Sequence, residues 1–285
     1  MNAMNALNTK IVLDSSADIP SAAALPLVSV PLKIITSEKE YVDDGALNVS
    51  EMIADLRAYS GKSSTSCPNS QEFLTAFGEA EYVFCITITG SLSGSYNSAL
   101  LASHEYTALH PERKVRVFNS LSTGPELVLL ARKIEEEVLA GKEFAEVCEI
   151  ADTYLKSTGL LFMLESLKNL ANNGRVSPLA AKVSSVLGIR IVGKASDEGT
   201  LQQLSKCRGR KKALAAICEH MKHEGYAGGK VKVAHCNNEA GAKALTDLVK
   251  TAYPEAETET YPCRALCSFY AEEGGLLVGF EKSFV

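Results

Sequence analysis

From Lys10 onward, short apolar runs alternate with longer amphipathic stretches. Lys10-Ile11-Val12-Leu13 reads as a compact buried strand that ends in Asp14-Ser15-Ser16-Ala17-Asp18. Tyr82 to Thr89, rich in β-branched residues, runs into Gly90-Ser91-Leu92-Ser93-Gly94, and Lys114 to Phe118 runs into Asn119-Ser120. Strands that open into Ser/Gly/Asp-rich loops and then into helical patterns have the βαβ rhythm of a parallel sheet flanked by helices. The best-marked helix spans Pro125 to Ala140, with Leu127, Leu130, Ala131, Ile134 and Val138 on one face. Thr123 and Glu126 have capping-box spacing, and Gly141 is placed to end the helix. Arg132, Lys133 and Glu135 to Glu137 then form a polar outer face, which predicts an ordinary surface helix.

A second unit starts near residue 158. Gly159 to Leu164 reads as a strand followed by a helical turn, Glu165 to Leu170. Further strands are predicted at Ile189 to Val192, Lys230 to Ala234, Glu257 to Tyr261 and Leu276 to Phe280. Helices are predicted at Lys211 to His223 and Glu239 to Thr251. No Pro/Gly/Ser-rich linker separates the halves, so two domains, 9–157 and 158–285, must pack closely. The fold class expected is α/β, with two packed α/β domains and a mostly parallel first sheet.

The chain has 285 residues, 46% of them hydrophobic and 22% charged, enough for a core without disulfide or metal staples. No apolar run approaches the ~18 residues that a transmembrane helix needs. The formal charge of -5 argues against a general nucleic-acid binder, which needs a basic face. The eight cysteines are scattered without a Cys-x-x-Cys, and Cys263 with Cys267 would make at most half a metal site. The opening Met-Asn-Ala-Met-Asn-Ala-Leu-Asn has neither a basic nor an apolar signal region. Reduced thiols in the cytoplasm are the expectation.

Two hydroxyl-rich clusters stand out. Ser63-Ser64-Thr65-Ser66-Cys67-Pro68-Asn69 precedes the helical Glu72-Phe73-Leu74. Capping explains any one of these residues, but the density exceeds what one cap requires. Gly90 to Ala99, directly after a strand, puts hydroxyls and N–H groups at a sheet's C-terminal edge, where open α/β folds bind ligands. It matches neither the dinucleotide fingerprint nor the phosphate-binding loop. It also fails as a nucleophile elbow, because Leu92 stands where the serine should be. Lys206, Arg208, Arg210, Lys211 and Lys212 form the one basic cluster, read as a solvated helix start.

Taken together, these segments resemble the DegV family of bacterial fatty-acid-binding proteins. The family's opening Asp-Ser-x-x-Asp-hydrophobic-Pro stands as Asp14 to Pro20, and its Thr-Ser-x-Pro as Thr65-Ser66-Cys67-Pro68. Its Leu-Ser-Gly-Thr-Tyr-x-Ser-Ala stands as Leu92 to Ala99, with Ser95 in place of the threonine. Leu167 to Arg175 matches Leu-x-x-Leu-x-x-Gly-Gly-Arg except that Asn173 replaces the first glycine. Lys206 to Ala213 matches Lys-x-Arg-Gly-x-x-Lys-Ala. The motifs follow in order over the whole chain after residue 9.

The resemblance implies one long-chain fatty acid held between two domains, its carboxylate on Thr65, Ser66, Ser93, Gly94 and Ser95. Tyr270 aligns with the family's C-terminal histidine, which adds it to the head-group set. The resemblance also implies a non-catalytic carrier that presents the acid to a separate ATP-dependent fatty acid kinase, with Arg175, Arg208 and Arg210 as docking residues. No cofactor, metal or nucleic-acid partner is expected. A small-molecule hydrolase using Ser93 or Cys67, and a degenerate regulatory lipid-binding module, stay open as alternatives.

Overall fold

The computed structural model of the chain describes residues 8–19, 24–177 and 188–283, so Pro20 of the opening motif lies outside them. The first sheet contains β1 (Thr9–Asp14), β2 (Leu27–Val30), β6 (Tyr82–Thr87) and β7 (Lys114–Asn119). Its order is β2-β1-β6-β7 and every pairing is parallel, as the alternating pattern predicts. Alternate residues of its strands feed two cores, because a strand's side chains point to opposite faces. Val12, Val83 and Cys85 meet Phe73 and Phe77 of α2 (Ser70–Phe77) and Tyr106 of α3 (Ser95–Leu109). Ile11, Leu13, Phe84 and Ile86 meet α4 (Pro125–Leu139) and α5 (Phe144–Lys156).

The second sheet is six-stranded and mixed. Its members are β8 (Thr158–Leu164), β9 (Ile189–Ala195), β10 (Leu201–Arg208), β11 (Lys230–His235), β12 (Glu257–Pro262) and β13 (Leu276–Glu281). The order is β10-β9-β8-β13-β11-β12, with only β11 and β12 parallel. Leu161, Met163 and Val192 face α7 (Arg210–His223) and α8 (Glu239–Ala252). Leu160, Phe162, Leu164 and Leu277 face the other way, toward the first sheet. A smaller antiparallel sheet joins β3 (Lys33–Ile35), β4 (Glu40–Val42) and β5 (Ser64–Ser66). Its Ile34 and Tyr41 pack with Met52 of α1 (Val49–Ala58) and with Ala265 and Phe269 of α9 (Ala265–Ala271). A short helix, α6 (Lys168–Asn172), follows β8.

Three sequence expectations are corrected here. Helix α4 is no surface helix: Glu126, Glu135 and Glu137 are only 5%, 9% and 8% exposed. The start of the helix lies against the second sheet, and the segment at Ala24 and Leu25 covers Glu135. Val128 joins that sheet's core, Thr158 donates to Glu126 at 2.7 Å, and Glu135 accepts the Leu25 N–H. The capping box is also absent, since the N-cap of α4 is Gly124 at φ 57° and Glu126 is committed to Thr158. Lys206 and Arg208 belong to strand β10 rather than to a helix start. Gly141 does close α4, at φ 79° with its N–H on Val138.

Close approach of α4 to the second sheet depends on Gly279. A Cβ there would stand 2.7 Å from the Pro125 carbonyl carbon and 2.8 Å from the Glu126 nitrogen. Both are backbone atoms at a helix start and cannot swing aside. Gly279→Ala is therefore expected to lower the unfolding free energy by roughly 1–3 kcal/mol, the usual cost of overpacking. Urea titration of the two proteins measures it, and coincident midpoints would show that the contact is not tight.

Candidate functional site

Between the sheets lies a cavity of about 320 Å³, within the range of small-ligand pockets. One part of its wall is apolar: Leu160, Phe162 and Leu277 come from the second sheet, and Ile88, Leu121 and Leu266 from other elements. Another part carries hydroxyls, with Thr65, Ser66, Ser93 and Tyr270 joined by Gly94 and Cys67. Among the described residues lining it, Arg175 carries the only charge.

Each polar group is placed by a specific element. Thr65 sits in β5, paired with Ile34, and its Oγ1 lies 2.7 Å from the Tyr270 hydroxyl. Tyr270 occupies the last turn of α9, its ring set edge-on to Phe269. Burial holds the phenol above its ordinary pKa, partly opposed by Thr65 and Arg175, so it remains a neutral donor at pH 7. Ser93 and Gly94 end the loop that leads from β6 into α3. A Cβ on Gly94 would stand 2.9 Å from Cys67 Sγ, so glycine lets the two hydroxyl-rich segments touch. The second segment ends in a true capping box between Asn69 and Glu72, with Pro68 just before the helix rather than in its first turn.

Ser95 is fully buried, and its Oγ stands 3.1 Å from that of Ser93. Behind it lies Asp14, whose Oδ1 accepts from Ser16 Oγ at 2.5 Å and whose Oδ2 accepts from the Ile88 N–H at 2.9 Å. Burial pushes the Asp14 carboxyl up to about 6, while Ser16, Ile88 and Ser95 pull it down. Asp14 thus ties the end of β1 to the loops after β6.

Arg175, expected with Arg208 and Arg210 among the docking residues, is half-buried and lines the cavity instead of standing with them. Its Nε donates to the Leu92 carbonyl at 3.2 Å, and its Nη1 donates to the Asn173 carbonyl. Asn173, the departure from glycine, donates to the Ser63 carbonyl at 3.2 Å. Arg208 and Arg210 lie apart from the cavity wall, exposed where β10 meets α7. The sequence-picked residues Thr65, Ser66, Ser93, Gly94 and Tyr270 therefore share one wall with Arg175, and Ser95 reaches it through Ser93.

The sequence reading missed the hairpin between β9 and β10. Thr89 Oγ1 donates to the Gly199 carbonyl at 2.9 Å, and Ser91 Oγ to the Glu198 carbonyl at 2.5 Å. Gly199, at φ 74°, rests on Leu121, itself at φ 53°. Ser196-Asp197-Glu198-Gly199-Thr200, between two strand-like runs, was the available hairpin signal.

All eight cysteines are free, and the described residues hold no His/Cys/Asp/Glu group suited to a metal. Among the described residues, no helix is long and apolar enough to cross a membrane.

A parallel sheet and a mixed sheet packed around a largely apolar cavity define a two-domain α/β protein with an interdomain chamber. The chain belongs to the DegV family: the profile described as "Uncharacterised protein, DegV family" matches residues 8–283. It is 42% identical to a DegV domain-containing protein of Streptococcus pneumoniae, over 95% of this chain and 98% of that one. A DegV family protein from Eubacterium eligens loaded with heptadecanoic acid superposes with a TM-score of 0.94 at 40% identity, covering 96% and 100% of the two chains. The Streptococcus pneumoniae Fatty Acid Kinase (Fak) B3 protein loaded with linoleic acid also gives 0.94, at 42% identity and 96% and 99% coverage.

One buried group near the cavity makes stability depend on pH. Asp18, at φ 52° and fully buried, accepts the Arg264 N–H at 2.7 Å through Oδ1, with the Cys267 thiol beside its carboxyl. Burial raises its carboxyl to about 7, the Cys267 thiol opposes this, and Asp43 adds to it. Folding therefore favours protonated Asp18. Its contribution is complete below about pH 4 and is lost as pH rises through 7, at up to ~1.4 kcal/mol per unit of separation. Asn tolerates the left-handed backbone and keeps an acceptor for Arg264. Asp18→Asn should thus lose less stability than wild type between pH 5 and 8 in denaturant titrations. Parallel pH profiles would reject the assignment.

Proposed function

We propose that this protein binds a long-chain fatty acid in the interdomain cavity and acts as a carrier for a separate fatty acid kinase. The observation that carries the reading is the make-up of the wall. Thr65 and Tyr270 are hydrogen-bonded to each other, Arg175 binds the Leu92 carbonyl next to Ser93, and Leu160, Phe162, Leu164, Leu201 and Leu277 supply much of the remaining lining, with Thr89, Ser122, Thr123 and Thr200 among them. A carboxylate taken from water needs several donors and gains from a nearby cation. An acyl tail gains about 0.8 kcal/mol for each buried methylene. The fatty acids that load the two solved relatives suit such a wall.

In this reading Ser93 and Tyr270 donate to the carboxylate, with Thr65 and Ser66 beside them, and the Gly94 N–H opens α3. Ser95 holds Ser93 in place, and Arg175 supplies charge from a half-buried position that also reaches solvent. The first domain, 9–157, brings most of the hydroxyls, and the second, 158–285, brings Arg175, Tyr270 and much of the apolar wall. No cofactor is needed, and eight free thiols suit the cytoplasm. The carrier reading is favoured over a hydrolase because no histidine or carboxylate lies among the described cavity-lining residues to act as base for Ser93 or Cys67.

Organic extraction and mass spectrometry of the purified protein should release a fatty acid in near-stoichiometric amount. Ser93→Ala should weaken fatty-acid binding by roughly 1.5–3 kcal/mol, the worth of a hydrogen bond to a charged group. Unchanged affinity in a folded Ser93→Ala protein would exclude Ser93 as a donor.

Arg208 and Arg210 are exposed and form a basic edge on an acidic chain, which suits encounter with a kinase surface. Reversing both charges, Arg208→Glu with Arg210→Glu, should slow kinase-dependent acyl phosphate formation and leave bound lipid unchanged. Loss of lipid, or unaltered transfer at low salt, would remove these residues from docking.

A further inference from the structure

Phe162 projects from β8 into the cavity wall and pairs across the sheet with Gly193 of β9. A Cβ at position 193 would stand 2.3 Å from Phe162 Cζ and 2.6 Å from Cε2. The phenyl ring therefore occupies the space that any side chain at 193 would need. On its other side Phe162 pairs with Leu277, and Leu160 and Leu164 flank it along the strand on the same face. The ring is 3% exposed, and Gly193 is the neighbour whose missing side chain gives it a hollow in which to lie.

This hollow decides how much of the cavity stays open. A rigid ring lying over the sheet leaves room above it for ligand, whereas a ring without the hollow would have to stand up into the chamber. The Gln202 carbonyl of the edge strand stands 2.5 Å from the same Cβ position, so a side chain at 193 would meet backbone as well as the ring. Thr65, Ser93, Tyr270 and Arg175 surround the polar part of the wall, and none of them is positioned by Phe162 through a hydrogen bond. The ring belongs to the apolar lining, with Leu160, Leu164 and Leu277.

We infer that Phe162, seated over Gly193, selects the acyl chain: it sets the capacity of the apolar chamber for long and kinked tails against short straight ones. The inference rests on the reading of the protein as a fatty-acid carrier. Each methylene gained or lost from the chamber is worth roughly fourfold in affinity.

Competition binding of laurate, palmitate, stearate and oleate against one fluorescent fatty acid tests it on wild type, Phe162→Ala and Phe162→Trp. Removing the ring should raise the oleate-to-laurate affinity ratio by roughly tenfold, equivalent to between one and two methylenes. The indole, larger than the phenyl ring, should lower that ratio. If the alanine variant unfolds, Phe162→Leu keeps the wall apolar and should move the ratio in the alanine direction. An unchanged ranking, or a uniform loss across all four acids, overturns the inference while the carrier reading stands. Failure of wild type to bind any of the four overturns both.

Discussion

Helix α4 must bury two sides at once, and the remaining architecture follows from that requirement. Leu127, Leu130 and Ile134 complete the core beneath the parallel sheet, and Val128 enters the core of the mixed sheet. A helix in this position cannot carry an uncompensated charge on either side. Glu126 therefore receives Thr158, and Glu137 is held by Lys133 and Lys142. The glycine at 279 allows the helix start to approach the sheet within ordinary contact. The loop that leads into α4 carries Leu121, Ser122 and Thr123 into the cavity wall. The packing that joins the domains thus shapes the chamber, and the two cannot vary independently.

The same economy governs the polar end. Buried hydroxyls and carboxyls are costly unless partnered, and most of those at this end are. Asp14 collects Ser16, Ile88 and Ser95; Ser95 meets Ser93; Thr65 meets Tyr270, 205 residues along the chain. These contacts join β1, the loop after β6, β5 and α9, four elements distant in sequence. Rigid placement from several elements is what a preorganised head-group site requires. The hairpin latch from Thr89 and Ser91 to Gly199 and Glu198 adds a fifth element that leans on the same loops.

Local pattern made much of this legible. The strands at Lys10, Tyr82 and Lys114 announced themselves through β-branched runs that end in hydroxyl loops, and the parallel sheet followed. Hydroxyl density or family resemblance marked Thr65, Ser93 and Tyr270 as candidates, and all three line the cavity. What stayed hidden depended on distant partners. Helix α4 reads as amphipathic because its glutamates look solvated, and only Thr158 and the Leu25 N–H, far along the chain, reveal otherwise. Arg175 carries no local sign that it faces a cavity. Strand β10 was obscured because Lys206 and Arg208 on an exposed edge strand resemble the start of the following helix.

A carrier faces a constraint that a permanent binding protein does not, since its ligand must leave. A carboxylate sealed in a fully buried ion pair would be costly to extract, because separation strands a charge in a dry interior. The polar wall here is built mostly from neutral donors, and the one cation among its described residues is half-buried and already shares its hydrogen bonds with the Leu92 and Asn173 carbonyls. In the proposed reading, affinity then comes chiefly from the tail, where each methylene contributes a similar increment without directionality. The head group fixes orientation, and the carboxylate stays near groups that can exchange it for water. In the same reading, this arrangement would let the chain hold a long acid firmly and still offer its carboxylate for chemistry elsewhere.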